Sequence, residues 1–447
     1  VNIGNVAGII AQKIGNKPVQ VICNLSMGSY ENVSSGQYIT SYTGSISYKA
    51  NAALLVGDVL SNNCYPNMYS AKEIESGKAA HAFYNSGYTS NELVWGQNLN
   101  PLNGEVDTAP RLMYETYDDV AKEAIRVSKI SVAGPGNVVY SDYYVNKKQA
   151  ITLELPENQD IEGIERSGWS FDGTTYPADT ETIEYTVSST TDMICKEQFD
   201  LTFKKNGNGE YEISSADDLR ILADLKENDT YKSVPDNKLY ALTCDIAYDR
   251  TKENNHKPIG NNKGKLNNIT FDGQNHKITG INLTTDKYEE AGLFGYITGS
   301  TVKNIAVEGK INDNSTKGNT INAGMLAGYS DSTQYNNCIV IADIDVDHDT
   351  TSVNIGAALG TTFNLKGINN MYVTGNIDIK REYTSGYIGG IIGSVNGYSS
   401  SNVTCTAVES SVVLTGNTSS RTGLIAGYSS IINPASGFRA LQDDTYN

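Results

Sequence analysis

The sequence predicts an all-β chain of parallel β-helix (solenoid) modules with a short capping helix and an intervening small β-domain. Three observations carry that expectation. First, one phrase recurs: it opens at Gly292, Gly324, Gly356, Gly389 and Gly423, and its closing glycines (Gly295, Gly328, Gly360, Gly393, Gly427) fall about 33 residues apart. Periods of 20–50 residues mark stacked repeats rather than an ordinary globular core. Second, an Asn recurs just before the second element of each period, at Asn304, Asn337 and Asn370. Asn tolerates left-handed turns, and its amide can bond to the same Asn one rung away, which only parallel in-register coils allow. Third, each period holds short β-rich runs such as Val302–Val307, Ile339–Val346 and Met371–Ile379, with no helical periodicity. Pairing every rung with its neighbours satisfies the backbone except at the two ends.

Taken in order, residues 1–110 read as the C-terminal part of a first β-helix plus its cap. Gly4–Gly8, Val21–Leu25, Ala52–Gly57 and Asn62-Asn63-Cys64 repeat the phrase in degraded form, and Ser76–Leu99 breaks the period as a terminal repeat should. The opening VNIGNVAGII has no Met and no basic segment, so the chain is expected to be part of something longer. Residues 111–205 lack the period and read as an irregular β-sandwich-like or linker domain. Thr116 with Asp118 and Asp119 predicts a short helix through Ile125, Gly134-Pro135-Gly136 a turn, and Val138–Val145, Ala150–Leu155, Thr182–Val187 and Phe199–Phe203 strands. Residues 206–447 read as a helix-capped second β-helix. Tyr211–Ile213 is a strand, and Ser215 with Asp218 forms a capping box. The helix it opens places Leu219, Leu222, Ala223 and Leu225 on one face, positioned to cover the open end of the first rung. Strands at Tyr240–Ile246 and Ile269–Phe271 then lead into the repeats.

The repeat columns also assign an interior. Ile305, Cys338, Met371 and Cys405 occupy one slot in successive periods, so the cysteines there are small core hydrophobes. At about 4.8 Å per rung, Cys338 and Cys405 lie about 9–10 Å apart, beyond disulfide reach. Redox compartment is therefore not legible from them.

The run GLFGYITGSTVKNIAVEGKI from Gly292 resembles the GLUG repeat, and EYEISSADDLRILADL, LTCDIAYD, PIGN and FDGQNHKITGINL resemble the segment that precedes such repeats. The likeness covers about residues 208–430 closely and 1–100 loosely. It implies a right-handed parallel β-helix and a large secreted or surface-anchored bacterial protein, such as an adhesin-like chain or the region flanking an IgA-specific metallopeptidase. It carries no catalytic residues.

Charge and motifs bound the function. Net charge is −17 with pI near 4.7, which argues against nucleic acid or an anionic membrane as partner. No apolar run is long enough to insert into a bilayer. His81, His256, His276 and His348 are single and far apart, without the His-Glu-x-x-His spacing that puts two imidazoles on one metal. β-Helix glycan enzymes need carboxylates clustered across adjacent rungs. The columns Lys310–Asp343–Asn376–Ser411 and Glu308–Ile341–Thr374–Glu409 make no such patch. Asp343, Asp345, Asp347 and Asp349 alternate, so a strand aims them at one face. That is oxygen chemistry suited to Ca2+, weighed against a solvated strand face, and no cofactor is expected. The binding hint is aromatic. With 29 Tyr against 8 Phe, Tyr296, Tyr329 and Tyr428 follow closing glycines and are expected to face a ligand, a host or microbial glycan or protein, unless they pack into a corner. The expected function is a non-catalytic, extracellular, adhesin-like scaffold. The alternatives are a glycan-active lyase or hydrolase and a non-catalytic region of a secreted peptidase.

Overall fold

The computed structural model describes residues 30–32, 37–39, 71–85, 94–113, 119–313, 320–346, 352–379, 386–397, 401–404, 407–414, 421–423, 425–429, 432–434 and 439–440. Contacts divide the chain into two units. One comprises residues 1–134, 138–158 and 168–198, and the other residues 135–137, 159–167 and 199–447.

In the first unit, Gly4–Gly8, Val21–Leu25, Ala52–Gly57 and Asn62–Cys64 lie outside the described residues. The described pair Tyr30–Asn32 and Gln37–Ile39 is antiparallel. A helix at Ala71–Glu75 precedes the period-breaking segment, which itself contains the helix Lys78–Asn85. A short helix follows at Asp119–Ala124, although its expected cap Thr116 is not described. Beyond it stands a sheet whose first-unit part runs in the order Val139–Val145, Ser128–Ala133, 193–198, 168–171, Thr174–Tyr176. The antiparallel pair Ala150–Glu154 and Thr182–Thr186 shares its core of Ile130, Val132, Leu153, Trp169, Phe171 and Ile183. Three strands of this region, Ser128–Ala133, Ile164–Phe171 and Thr174–Tyr176, were not expected. The strand expected over Phe199–Phe203 instead runs Met193–Leu201.

The second unit is a parallel β-solenoid of about five turns. Each rung runs through three sheets. Its longest strands, Thr301–Asp313, Gln334–Val346 and Gly367–Ile379, are 13 residues each and stack directly. A second sheet holds Phe294–Thr298, Ala327–Asp331, Leu359–Phe363, Ile392–Asn396 and Ala426–Ser429. A third holds Glu290–Ala291, Thr320–Ala323, Ser352–Gly356, Gly386–Gly389 and Arg421–Gly423. The register places Ile305 beside Cys338 and Cys338 beside Met371, all buried, as the column reading requires; Cys405 is not described. Burial pushes the Cys338 thiol up to about 12, so it stays a neutral hydrophobe.

The Asn ladder forms as the sequence implies, with one refinement: it lies inside the long strand rather than before it. Asn304, Asn337 and Asn370 take φ of 53°, 54° and 55°, the left-handed region, and bend each rung without ending its pairing. The Asn337 Nδ2 donates to Asn304 Oδ1 at 2.9 Å, and Asn370 Nδ2 to Asn337 Oδ1 at 2.9 Å. Asn304 Nδ2 in turn donates to Asp272 Oδ1 at 3.0 Å. Burial alone raises the Asp272 carboxyl. The Gln274 N–H, Lys303 and Asn304 outweigh it and hold that carboxyl below the usual range. A carboxylate thus heads a polarised amide chain.

The glycine phrase is a close approach of backbone layers. A Cβ on Gly360 would lie 2.5 Å from the Gly328 carbonyl oxygen and 2.6 Å from the Ala323 nitrogen, where the second and third sheets meet. On Gly324 it would lie 2.5 Å from the Gly360 nitrogen. Only hydrogen fits at either place.

The end of the solenoid is closed by the helix Ala216–Glu227. Its capping box is complete, with Ser215 Oγ accepting from the Asp218 N–H and the Asp218 carboxylate accepting from the Ser215 N–H. Leu219, Leu222, Ala223 and Leu225 are buried in the same core as Phe271, Ile305 and Met371. A buried ion pair fastens the helix: Lys226, 1 % exposed, reaches Asp236 Oδ1 at 2.8 Å and the Lys232 carbonyl. Asp236 then accepts from the backbone N–H and side-chain amide of Asn267 on the first rung, at 2.8 and 2.9 Å.

Candidate functional site

The three tyrosines share one column but not one surface. Tyr296 pairs with Tyr329, which pairs with Thr361, then Ser394, then Tyr428. The Tyr296 and Tyr329 rings stack at 4.3 Å, and the Lys265 ammonium lies 4.4 Å over Tyr296. Tyr296 is only 9 % exposed, and burial pushes the Tyr329 hydroxyl up to about 12. Tyr428 stacks instead on Tyr387, at 4.9 Å. Two rungs of buried Thr361 and Ser394 separate the pairs, so the stripe is broken and its first member is packed into the corner.

The open face is the outer side of the long sheet. Along Gln334–Val346, Cys338, Val340, Ala342 and Ile344 point inward, while Ile339, Ile341, Asp343 and Asp345 point outward. Ile339 is 45 % and Ile341 39 % exposed. The adjacent rungs place Ala306 and Tyr372 beside Ile339, and Glu308 and Thr374 beside Ile341. Inward positions are therefore uniformly apolar, whereas outward ones change from rung to rung.

Charge on that face is organised by a residue that column reading missed. Arg250 donates to Glu308 Oε1 at 3.1 Å and to Asp343 Oδ2 at 3.0 Å, bridging carboxylates of adjacent rungs. It lies 58 residues from Glu308 and 93 from Asp343, on the chain after Ile246–Ala247, so no period reveals it. Only its being the single Arg between Arg220 and Arg381 could have drawn attention to it. Of the expected aspartate row, Asp343 and Asp345 share the outer face, whereas Asp347 and Asp349 are not described. Among the described residues no group of three or more His, Cys, Asp or Glu is placed to hold a metal ion.

The histidines are dispersed. His81 bonds Asp192 at 2.9 Å in the first unit, His276 bonds Asp245 at 3.1 Å, and His348 is not described. His256 is buried: its Nε2 donates to the Leu293 carbonyl at 3.0 Å, leaving Nδ1 to accept from the Tyr248 hydroxyl at 2.9 Å. Burial, partly opposed by the Leu293 bond, brings its pKa down to about 4 and keeps it neutral. It is a core histidine.

A cavity opens in the second unit. It measures about 600 Å3 and lies between the end of the capping helix, the segment 257–263 and the segment 285–290. Among the described residues no helix is long and apolar enough to cross a membrane. Comparison of the chain with protein families, curated proteins and solved structures finds no match.

Proposed function

We propose that the chain is a non-catalytic, extracellular scaffold that presents a binding surface, in the manner of an adhesin, on the outer face of the long sheet. One observation carries this reading: the inward columns repeat and are fully buried, while the outward columns vary and expose Ile339 and Ile341. A rod whose interior is fixed leaves its specificity to the outward positions, and exposed apolar side chains ringed by polar ones mark interaction surfaces. The resemblance to GLUG repeats supplies the bacterial cell-surface context, and the acidic balance suits solubility. The expected ligand is a glycan or a protein.

A second reading rests on the Arg250–Glu308–Asp343 cluster, which sets two carboxylates and a guanidinium on adjacent rungs. That is the residue chemistry of a glycan lyase or hydrolase. The two readings separate in one experiment. The full chain is applied to an array of glycans and matrix proteins and, in parallel, incubated with a polysaccharide panel. The scaffold reading expects retention without turnover. Chain cleavage abolished by Glu308→Gln or Asp343→Asn establishes the enzyme instead.

A further inference from the structure

The cavity beside the capping helix is distinct from the outer sheet face and has its own chemistry. Its lining residues include Lys257, Lys263 and Lys287, the four acids Glu227, Asp286, Glu289 and Glu290, and Tyr288, with Pro258 the one aliphatic residue. Lys257 is already held by Asp224 at 2.6 Å and Glu227 at 2.7 Å. Among the described residues Lys263 and Lys287 form no ion pair. Tyr288 is half-buried against the solenoid core, which fixes its ring as a wall, and the exposed Lys287 lies 5.3 Å over it.

Glu290 is the telling residue. Its column continues as Asn322 and Asn354 on the next rungs, where Asn354 Nδ2 donates to Asn322 Oδ1 at 3.0 Å. Thr361 Oγ1 donates to the same Asn322 oxygen at 2.6 Å. At the top of this ladder the chain sets a carboxyl in place of an amide. Among the described residues no side chain pairs with it, although it is half-buried and lines the cavity. Burial and then Glu289 hold it above its ordinary value. Its own backbone N–H partly opposes that shift, and the carboxyl oxygens keep acceptor capacity toward the cavity.

We propose that this cavity binds a neutral, hydroxyl-rich saccharide. An apolar ligand would strip polar groups of water without apolar contact in return. A strongly ionic ligand of either sign meets charge of its own sign. Hydroxyls both donate and accept, so one ligand can give hydrogen bonds to Glu290 and take them from Lys263 and Lys287. The proposal adds a second surface to the binding-module reading and rests on that reading's non-catalytic, ligand-presenting part.

The test is calorimetric titration of the full chain with neutral hexose oligosaccharides and with their uronate counterparts. The wild-type chain and the variants Glu290→Ala, Tyr288→Ala, Leu102→Ala and Ile341→Asp are compared, and the thermal midpoint of each is checked. The expected result is binding of a neutral oligosaccharide that Glu290→Ala and Tyr288→Ala each weaken about tenfold or more, while Leu102→Ala, at an exposed position of the first unit, leaves it intact. Glu290→Gln, which preserves shape, guards against loss of fold and is expected to weaken binding less than Glu290→Ala. Wild-type affinity in the cavity variants, or preference for uronates, overturns the cavity assignment. If Ile341→Asp alone abolishes binding, the cavity falls while the scaffold reading stands. If the wild-type chain binds neither a saccharide nor any array component, both fall.

Discussion

At the residue scale the Asn ladder does two jobs that substitution can separate. Asn337 donates to Asn304, accepts from Asn370 and holds a left-handed φ of 54°. Asn337→Ala loses both bonds and strains the backbone, and is expected to cost about 2 kcal/mol in chemical denaturation. Asn337→Gly keeps the backbone and loses only the bonds, and is expected to cost roughly half as much. Equal losses would contradict the left-handed requirement. His256 gives a pH prediction. Its folded pKa of about 4 lies below the ordinary 6.5, so the unfolded chain binds the proton more readily. The stability it contributes is complete above about pH 6.5, declines as pH falls, and is gone below about pH 4. The unfolding midpoint is expected to drop through that window, with a smaller drop in His256→Gln. An unchanged slope in the variant would place the acid sensitivity elsewhere. The ladder and the interior column Ile305–Cys338–Met371 were legible in the sequence because a fixed period turns spacing into contact. Arg250 was not, because it reaches the face from outside the period.

At the element scale the capping helix was also legible. Ser215 and Asp218 announce its start, and the spacing of Leu219, Leu222 and Leu225 gives its buried face. What the sequence hid is the bolt. Lys226 reads as an ordinary charge in the last helical turn, yet it is 1 % exposed and bound to Asp236. Removing one member of a buried pair strands the other, so Lys226→Ala is expected to cost about 3–5 kcal/mol. Urea denaturation of the full chain monitors it, and a cost below about 1 kcal/mol would show that the pair is solvated. The strands Ser128–Ala133 and Ile164–Phe171 were missed for a related reason. No repeat supplies their register, and Ile164–Phe171 carries Arg166 and Glu165 among its apolar residues.

At the scale of the second unit, the solenoid converts a 33-residue phrase into surfaces with different roles. Glycines hold the backbones of two sheets together, apolar columns fill the interior, and the outer face of the long sheet is left to vary. The tyrosine column illustrates the limit of reading by column. Register put Tyr296, Tyr329 and Tyr428 in one line, but exposure is decided by the corner where two sheets meet, and Tyr296 is buried there. The outward face, by contrast, follows from strand alternation alone. The measurement that tests the presented-surface account most directly is array binding by the full chain before and after Ile339→Asp, with Tyr296→Phe as a corner control. The account predicts that Ile339→Asp abolishes the array binding that persists in the Glu290→Ala chain, with little change in thermal midpoint, since the side chain is 45 % exposed, and that Tyr296→Phe leaves binding unchanged. Undiminished binding by the Ile339→Asp chain, or cleavage of a bound polysaccharide, would contradict it.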